Sequence, residues 1–359
     1  MNAPRPAQSP AHRLTRRLRS GLSGWGGVGA MAAVCALALA FALLLPLTTR
    51  PSGTDGATSG GQAVAHGSQI KLTDCQRKND PQDRSLSPSS GDGGATVIDK
   101  IKARKDRRLV VGVDTNSYRW GYLDPNNVKG ELEGFDIDLV HRIAKDILGD
   151  ANAVSFKAIP TSRRIEAIQH GDVDMVVRTM TITCDRLDDV AFSAPYFRTG
   201  QQVLAPKTSK ITGYNGTLAH KRICSAATST ALERLQADQT ARKLPAGANI
   251  KTVVPNQLDC LVKLQLGDVD AVVTDGALAA SQAAQDPTVQ LKGPLFTDEY
   301  YGVAMKLGSD DLIRQVNRTL QNYIKDGDWA ASYGKWLHPT MDQGGEKSAS
   351  ATPPEAHYK

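Results

Sequence analysis

A ten-residue motif that occurs twice constrains the fold of this chain more than any other feature. Residues 168–177 and 264–273 agree at Gln, Gly, Asp, Val, Asp, Val and Val. Each copy follows an amphipathic stretch, contains a Gly suited to end a helix, and runs into β-branched residues typical of a short strand. The sequence therefore predicts two α/β units that are built alike.

The residues that follow the two predicted strands differ in their chemistry. Arg178, Thr179 and Thr181 follow the first strand, whereas Thr274 and Asp275 follow the second. Ligands of open α/β sheets bind beyond the carboxyl ends of the strands. A cation and hydroxyl groups on one unit, with a carboxylate on the other, suit a small zwitterion bound between the two units.

The positive charge of the chain is concentrated near its start. The net charge is +6 over 359 residues, and five arginines within residues 5–19 precede the first acid, Asp55. The rest of the chain is close to neutral, so no basic patch for nucleic acid is predicted. With 40% apolar residues, the remaining length is sufficient for a real core.

An uncharged apolar run follows the arginines. Residues 28–47 are long enough to cross a bilayer, and an Arg-rich head before such a run predicts that the N-terminus lies inside the cytoplasm and the rest outside. We favour a retained signal-anchor helix. A cleaved signal peptide, with secretion of the protein, and a lipoprotein signal at Cys35 are the alternatives.

The other four cysteines lie in the part predicted to be extracytoplasmic, where an even number is typical of disulfides. Three pairings are possible. We favour Cys224 with Cys260, because both flank elements of the second unit, and by elimination Cys75 with Cys184. The sequence has no CxxC or HxxxH spacing, so no metal site is predicted.

Composition and periodicity divide the chain along its length. Segments rich in Gly, Ser, Pro, Asp and Thr bury too little apolar surface to offset the entropy lost on ordering, so they are predicted to be flexible. In the part of the chain between them, predicted strands and helices alternate, which indicates a parallel-sheet α/β class. Extended segments at 201–205 and 300–305 are expected to cross between two lobes, so that the second lobe is inserted into the first. The predicted divisions are a basic cytoplasmic head (1–27), a membrane segment (28–47), a flexible stalk (48–95), lobe 1 (96–203 and 300–338), lobe 2 (204–299) and a disordered tail (339–359).

The order of motifs resembles that of the family 3 solute-binding proteins, which supply polar amino acids to ABC importers, and most of all that of actinobacterial glutamate-binding members. The resemblance extends from Leu109 to Leu337 and implies a two-lobed, periplasmic-binding-protein-like fold of type II with a hinge of two crossing strands. We expect a monomer. The segments that carry the resemblance are 109–114, 132–139, 177–183 with Arg186, 192–196, 228–230 and 271–275.

The resemblance also implies contacts for the backbone groups of an amino acid. Arg186 matches the arginine that binds the α-carboxylate through two parallel hydrogen bonds. Ser229 and Thr230 begin a helix whose free N–H groups match the opposite carboxylate contact. Asp275 matches the acid that receives the α-ammonium, and Thr179 and Thr181 assist it from the first lobe.

Specificity is expected to depend on residues near the first strand. Arg178 is a second cleft arginine and suggests a second ligand carboxylate, although a structural ion pair with a lobe acid is the alternative. Asp114 faces the side chain in cation-specific relatives, and here Arg119 or Arg178 could neutralise it. Tyr118 and Trp120 follow the strand where family members place an aromatic ring over the ligand; surface or core packing is the alternative for both.

These features predict an extracytoplasmic amino-acid-binding protein, for glutamate before aspartate or glutamine, that closes on its ligand and delivers it to an ABC permease. A membrane-tethered amino-acid sensor that signals to a membrane partner is the alternative. An enzyme on the same fold is disfavoured, because the matched cleft positions supply no poised acid or base. We therefore predict no catalytic residue and no cofactor.

Overall fold

The computed structural model describes residues 84–89, 96–126, 130–342 and 348–359. The predicted head, the apolar segment, most of the predicted stalk and Cys75 lie outside the described residues. Within the described ranges, no helix combines the length and the apolar character needed to cross a membrane.

The described residues form short strands and helices that alternate along most of the chain. The strands are β1 (Arg84–Ser85), β2 (Leu109–Val113), β3 (Asn116–Ser117), β4 (Gly121–Leu123), β5 (Leu132–Glu133), β6 (Val154–Ala158), β7 (Met175–Val176), β8 (Ala191–Phe192), β9 (Phe197–Thr199), β10 (Gln201–Pro206), β11 (Arg222–Ala226), β12 (Asn249–Val254), β13 (Ala271–Asp275), β14 (Val289–Lys292), β15 (Glu299–Tyr301), β16 (Ala304–Met305) and β17 (His357–Tyr358). The α-helices are α1 (Val97–Lys102), α2 (Phe135–Leu148), α3 (Arg164–Gln169), α4 (Cys184–Asp189), α5 (Thr230–Thr240), α6 (Gln257–Gln265), α7 (Gly276–Gln285), α8 (Asp310–Lys325), α9 (Asp328–Trp336) and α10 (His338–Met341). Turns of 3-10 helix cover Thr161–Arg163, Gly216–Leu218 and Ala349–Ala351.

Two sheets define two lobes. Lobe 1 contains the strand order β6-β2-β7-β16-β8, and lobe 2 contains β12-β11-β13-β10-β14. In each lobe the strand that ends the repeated motif lies parallel to a neighbouring strand of its sheet, β7 beside β2 and β13 beside β11. The predicted two-lobed α/β fold, with the second lobe inserted into the first, is confirmed.

The lobes are joined by the antiparallel strands β9 and β15, in which Thr199 pairs with Glu299 and Phe197 with Tyr301. The first crossing therefore lies a few residues earlier than the predicted segment 201–205. Strand β10 already belongs to the sheet of lobe 2, where it pairs with β13 and β14. An extended apolar segment has the same pattern in a crossing strand and in a sheet, so the sequence did not distinguish them.

The acids of the repeated motif hold each lobe together. Asp174 accepts a hydrogen bond of 2.8 Å from a backbone N–H of β2, and Asp270 accepts one of 2.8 Å from the first N–H of β11. The motif glycines, Gly171 and Gly267, have φ of 75° and 72°, which favours glycine at the end of a helix. The repeat is thus a structural device that joins a helix to a strand in the same way twice.

One side of the lobe junction is apolar. Ala277 and Leu278 of α7, in lobe 2, are buried in the same hydrophobic cluster as Phe197, Trp120 and Tyr301. The start of α7 therefore packs into the core of lobe 1 at the hinge. The polar residues of the lobe junction lie on its other side.

The prediction of a disordered tail is wrong for residues 348–359, and the predicted stalk is ordered at its end. Strand β17 pairs in parallel with β1, His357 opposite Arg84. Ser350 Oγ donates to the carbonyl of Arg198 in the hinge at 2.6 Å, and Asn317 Nδ2 donates to Ser85 Oγ at 2.9 Å. Two polar segments satisfy each other's backbone groups here, which their compositions taken singly do not reveal.

The predicted pairing of Cys224 with Cys260 is confirmed, and it links β11 to α6 with a Cα–Cα distance of 5.6 Å. Cys184 is also disulfide-bonded. Its predicted partner, Cys75, lies outside the described residues.

Candidate functional site

The predicted polar residues meet where the lobes face each other beside the hinge. Arg178, Thr179 and Thr181 follow β7, Thr230 begins α5, and Asp275 ends β13. Each is at most 7% exposed. Buried polar groups require partners, and these partners show what the site can do.

Arg186 spans the two lobes. Its Nη1 donates to the carbonyl of Thr181 at 2.7 Å, and its Nη2 donates to the carbonyl of Thr228 in lobe 2 at 2.9 Å. The nearest acid that it faces is Glu233, at 3.8 Å, which is longer than a hydrogen bond. Its guanidinium is therefore bound by neutral carbonyl groups at close range, and its positive charge can attract an anion.

Ser229 and Thr230 form the start of α5. Ser229 is the N-cap, because its Oγ accepts from the N–H of Leu232 at 3.2 Å, and it also donates to the carbonyl of Ala226 at 2.6 Å. The hydroxyl of Ser229 thus serves the helix, whereas that of Thr230 points to the hinge and donates to Glu299 Oε2 at 2.9 Å.

Thr179 has an unusual backbone, with φ of 42°. Residues other than glycine rarely adopt this conformation. Its N–H donates to the buried Asp136 Oδ2 at 3.1 Å, and Asp136 also accepts from the hydroxyl of Tyr196 at 2.9 Å. Asp136 therefore holds the chain that leads from β7 into the site, a role that the sequence did not reveal.

Asp275 lies at the hinge end of β13. Its Oδ2 accepts from the hydroxyl of Tyr301, and its Oδ1 accepts from Gln201 Nε2 at 2.5 Å. Burial, and in second place the nearby carboxylate of Glu299, raises the pKa of Asp275 to about 7. Among the residues that the structure describes, no cation forms an ion pair with Asp275, although the more distant Arg164 acts on it, so a cation at close range would stabilise its charged form.

Glu299 is a second hinge acid that the sequence analysis did not single out. Its Oε2 accepts from Thr181 Oγ1 of lobe 1 at 2.8 Å and from Thr230 Oγ1 of lobe 2 at 2.9 Å. Its Oε1 accepts from Gln201 Nε2 at 2.9 Å and from Thr297 Oγ1 at 3.1 Å. One carboxylate thus gathers hydroxyl groups from both lobes. The sequence did contain one signal for Glu299, because it is a charged residue at the start of an apolar segment that crosses between the lobes.

Arg178 is paired inside the molecule. Its Nη2 lies 2.7 Å from Asp114 Oδ2, and it also donates to Asn256 Oδ1 in lobe 2 at 2.8 Å. Its Nη1 donates to Thr161 Oγ1 at 3.0 Å. Of the two cations expected to neutralise Asp114, the structure selects Arg178, since Arg119 donates to a carbonyl of α9. The ion-pair alternative for Arg178 is the one that the structure shows.

Arg164 is a third buried arginine, and its role was missed because the sequence analysis treated its helix only as an amphipathic element. It is 4% exposed and donates to the carbonyl groups of Thr161, Arg178 and Thr179. Burial, followed by the neighbouring Arg186 and Arg178, holds the pKa of Arg164 well below its usual value. Its hydrogen bonds tie the chain that follows β7 to the turn at Thr161.

The two aromatic residues predicted to cover a ligand pack elsewhere. Trp120 is fully buried in the core of lobe 1, 4.9 Å edge-on from Phe197, and its Nε1 donates to Ser281 at 3.2 Å. Tyr118 packs edge-on against Tyr122 at 5.2 Å. The packing alternative describes both residues in this structure, because the chain turns back into β4 immediately after them. Contact of either ring with a ligand stays a prediction.

No group of three or more His, Cys, Asp or Glu residues in the described ranges could hold a metal ion. The site is instead built from arginines, hydroxyl groups and two hinge acids. Such a set can bind an anion beside an ammonium group.

Comparison with known proteins is consistent with this arrangement. Residues 109–339 match the family described as bacterial extracellular solute-binding proteins, family 3. The chain is 36% identical over 240 residues to the ABC transporter glutamine-binding protein GlnH of Bacillus subtilis, which covers 67% of this chain and 85% of that protein. It is 26% identical over 283 residues to the glutamate-binding protein GluB of Corynebacterium glutamicum, covering 76% and 86%.

Among solved structures, an ancestral arginine-binding protein bound to glutamine superimposes with a TM-score of 0.57. It is 34% identical in sequence and covers 64% of this chain and 97% of its own. The family that the sequence motifs indicated is thereby confirmed.

Proposed function

Because this chain belongs to the bacterial extracellular solute-binding proteins, family 3, we propose that it binds one polar amino acid between its lobes and delivers it to an ABC importer. The placement of Arg186 and Asp275 carries the proposal. Both are buried at the lobe junction, and the hydroxyl groups of Thr181 and Thr230 lie between the lobes beside them. Arg186 would bind the α-carboxylate, and Asp275 would bind the α-ammonium.

Within the polar amino acids, the pairing of Arg178 with Asp114 favours an uncharged side chain. An ion pair at 2.7 Å offers a donor and an acceptor but no net charge, which matches the two ends of an amide. Glutamine is therefore the first candidate, and the likeness to GlnH supports it. Glutamate, which the sequence favoured, stays the second candidate, because Arg178 can still donate to a carboxylate and because GluB is also a relative.

The proposal places this function outside the cytoplasm, with residues 28–47 as the membrane anchor. The disulfide between Cys224 and Cys260 supports an exported protein, because such bonds persist in oxidising compartments. The sequence alone supports the anchor.

Calorimetry of the purified full-length protein in mild detergent, titrated with each common amino acid, tests the proposal. We expect binding heat with L-glutamine and weaker binding of L-glutamate. The absence of heat with glutamine, glutamate, asparagine and aspartate would refute the assignment.

A further inference from the structure

The two ends of the described chain lie outside the part that matches the family. The match covers residues 109–339, whereas β1 precedes it and β17 follows it. These strands nevertheless pair, and the backbone N–H of Lys359 donates to the carbonyl of Ser85 at 2.9 Å. The terminal segments therefore form one structure, which we call the clasp (residues 84–89 and 348–359). Its role does not follow from membership of the family.

The clasp is fixed to lobe 1 at both of its segments. Asn317 of α8 is fully buried, and its Nδ2 donates to the carbonyl of Leu86 at 2.7 Å. The backbone N–H of Ser348 donates to Asp342 Oδ1, directly after α10, at 2.7 Å. Buried polar groups that satisfy each other hold such segments in place. The clasp therefore moves with lobe 1.

The clasp also reaches the hinge. Ser350 is 2% exposed, and its Oγ donates to the carbonyl of Arg198 in β9 at 2.6 Å. The residue opposite Arg198 is Tyr300 of β15, whose carbonyl accepts from the N–H of Ile182 at 2.9 Å. In a pair that does not bond to itself, the two carbonyl groups face opposite edges of the ribbon. The clasp thus covers one edge of the hinge, and the loop that carries Thr181 covers the other.

On the clasp side of the hinge, lobe 2 presents α7 and β14. Helix α10 packs against α7, and next to this contact a groove of about 440 Å³ lies between lobe 2 and the clasp. Ala280, Ala283 and Leu291 line the groove from lobe 2, and Ser348 and Ser350 line it from the clasp. The clasp therefore bounds the space into which lobe 2 can move on this side.

On the site side of the hinge, the lobes already touch. Gln257 of lobe 2 accepts from Thr161 Oγ1 of lobe 1 at 2.7 Å, and Arg186 donates to the carbonyl of Thr228 at 2.9 Å. A rotation about a hinge that separates two lobes on one side brings them together on the other side. Opening of the site must therefore move α7 toward the clasp and narrow the groove.

We propose that the clasp is a stop that limits how far the lobes open. Because Ser350 bonds it to β9, the clasp stays at the hinge while α7 approaches, and opening ends when the groove is filled. A stop destabilises widely open conformations, so it raises the closed population of the empty protein and with it the apparent affinity for ligand. This inference goes beyond the proposed function, although it rests on the lobe closure that the function requires.

Double electron–electron resonance on the empty, full-length protein in mild detergent measures the opening directly. Spin labels coupled to azide-bearing amino acids at Lys157 and Lys251 leave the cysteines untouched. Both positions are exposed, and they lie in β6 and β12, which are edge strands of the two sheets. Their separation should therefore increase as the lobes open. We expect deletion of residues 343–359 to lengthen the mean distance and to broaden its distribution.

Two substitutions test the stop without removing β17. Ser350→Ala deletes only the hydroxyl that bonds to Arg198, so it should lengthen the mean distance and raise the apparent Kd by up to about tenfold, as for one lost hydrogen bond. Ala283→Phe fills the groove, so it should shorten the mean distance. Thr352→Ala, at an exposed position of the same segment, is the control for Ser350→Ala and should leave the distances unchanged.

Distances in the deletion variant that equal those of the unaltered protein would overturn the inference. If that variant fails to fold, Ala283→Phe decides, since an unchanged or longer distance contradicts a stop. A Ser350→Ala variant that behaves like Thr352→Ala would remove the coupling to the hinge and the inference with it. None of these distance measurements needs a ligand, so the absence of binding by every amino acid would refute the proposed function alone.

Discussion

The Nη2 of Arg178 lies 2.7 Å from Asp114 Oδ2, and the two side chains are 0% and 5% exposed. They project from the ends of β7 and β2, which are neighbouring parallel strands. Since each charge is neutralised before any ligand arrives, Arg178 does not by itself define a site for a second carboxylate. The pair therefore controls the charge that the ligand side chain meets.

Replacing Asp114 with Asn should shift preference toward glutamate. The substitution leaves the cation of Arg178 buried without its acid, and a ligand carboxylate can supply the missing charge. We expect the ratio of the Kd for glutamate to that for glutamine to fall about tenfold or more, measured by calorimetry. Asp106→Asn, on the exposed surface, is the control. An unchanged ratio would show that the pair does not select the ligand.

Replacing Arg186 with Ala should abolish measurable binding of every amino acid. Truncation of one partner of a buried, charged hydrogen bond typically costs about 2–5 kcal/mol, or roughly 30- to several-thousand-fold in Kd. Arg198→Ala is the control, because Arg198 is a half-exposed hinge arginine that pairs with Asp298. If the two variants bind alike, the α-carboxylate is bound elsewhere.

The arrangement of the site was partly predictable from the sequence. The repeat placed Arg178, Thr181 and Asp275 at strand ends, and parallel strands bring such ends to one edge of a sheet. Glu299 and Gln201 were not predictable in the same way. Gln201 begins β10 in lobe 2 and Glu299 begins the hinge strand β15, 98 positions later. Their importance arises only when the fold brings both to Asp275.

The lobes also contact each other directly, and this contact should influence affinity. Gln257 of lobe 2 accepts from Thr161 Oγ1 of lobe 1 at 2.7 Å, in a buried position. Gln257→Ala removes this link, so the closed state should be less populated and the apparent Kd should increase severalfold.

Small-angle scattering of the empty protein should show a larger radius of gyration for Gln257→Ala. Gln265→Ala, on the same helix but bonded to Asp286, is the control. A variant that is as compact and binds as tightly as this control would remove Gln257 from lobe closure.

Loss of the disulfide between Cys224 and Cys260 should lower stability without removing the site. The bond closes a loop with a sequence separation of 36 residues, and such a bond typically contributes about 2–4 kcal/mol. We expect the free energy of unfolding of the double Ser variant to fall by about 2–4 kcal/mol, which lowers its urea midpoint. The variant should still bind ligand at low temperature. Substitution is preferable to treatment with a reductant, because a reductant would also break the disulfide of Cys184. An unchanged urea midpoint would contradict the prediction.

The pairing of β1 with β17 determines where the chain that precedes Arg84 joins the described structure. Ser85 in β1 donates to the carbonyl of Phe192 in lobe 1 at 2.8 Å, and β17 completes the same attachment. Any tether that precedes Arg84 therefore enters the described structure at lobe 1. If residues 28–47 anchor the protein as proposed, lobe 1 would be the stationary lobe, and lobe 2 would move when ligand closes the cleft.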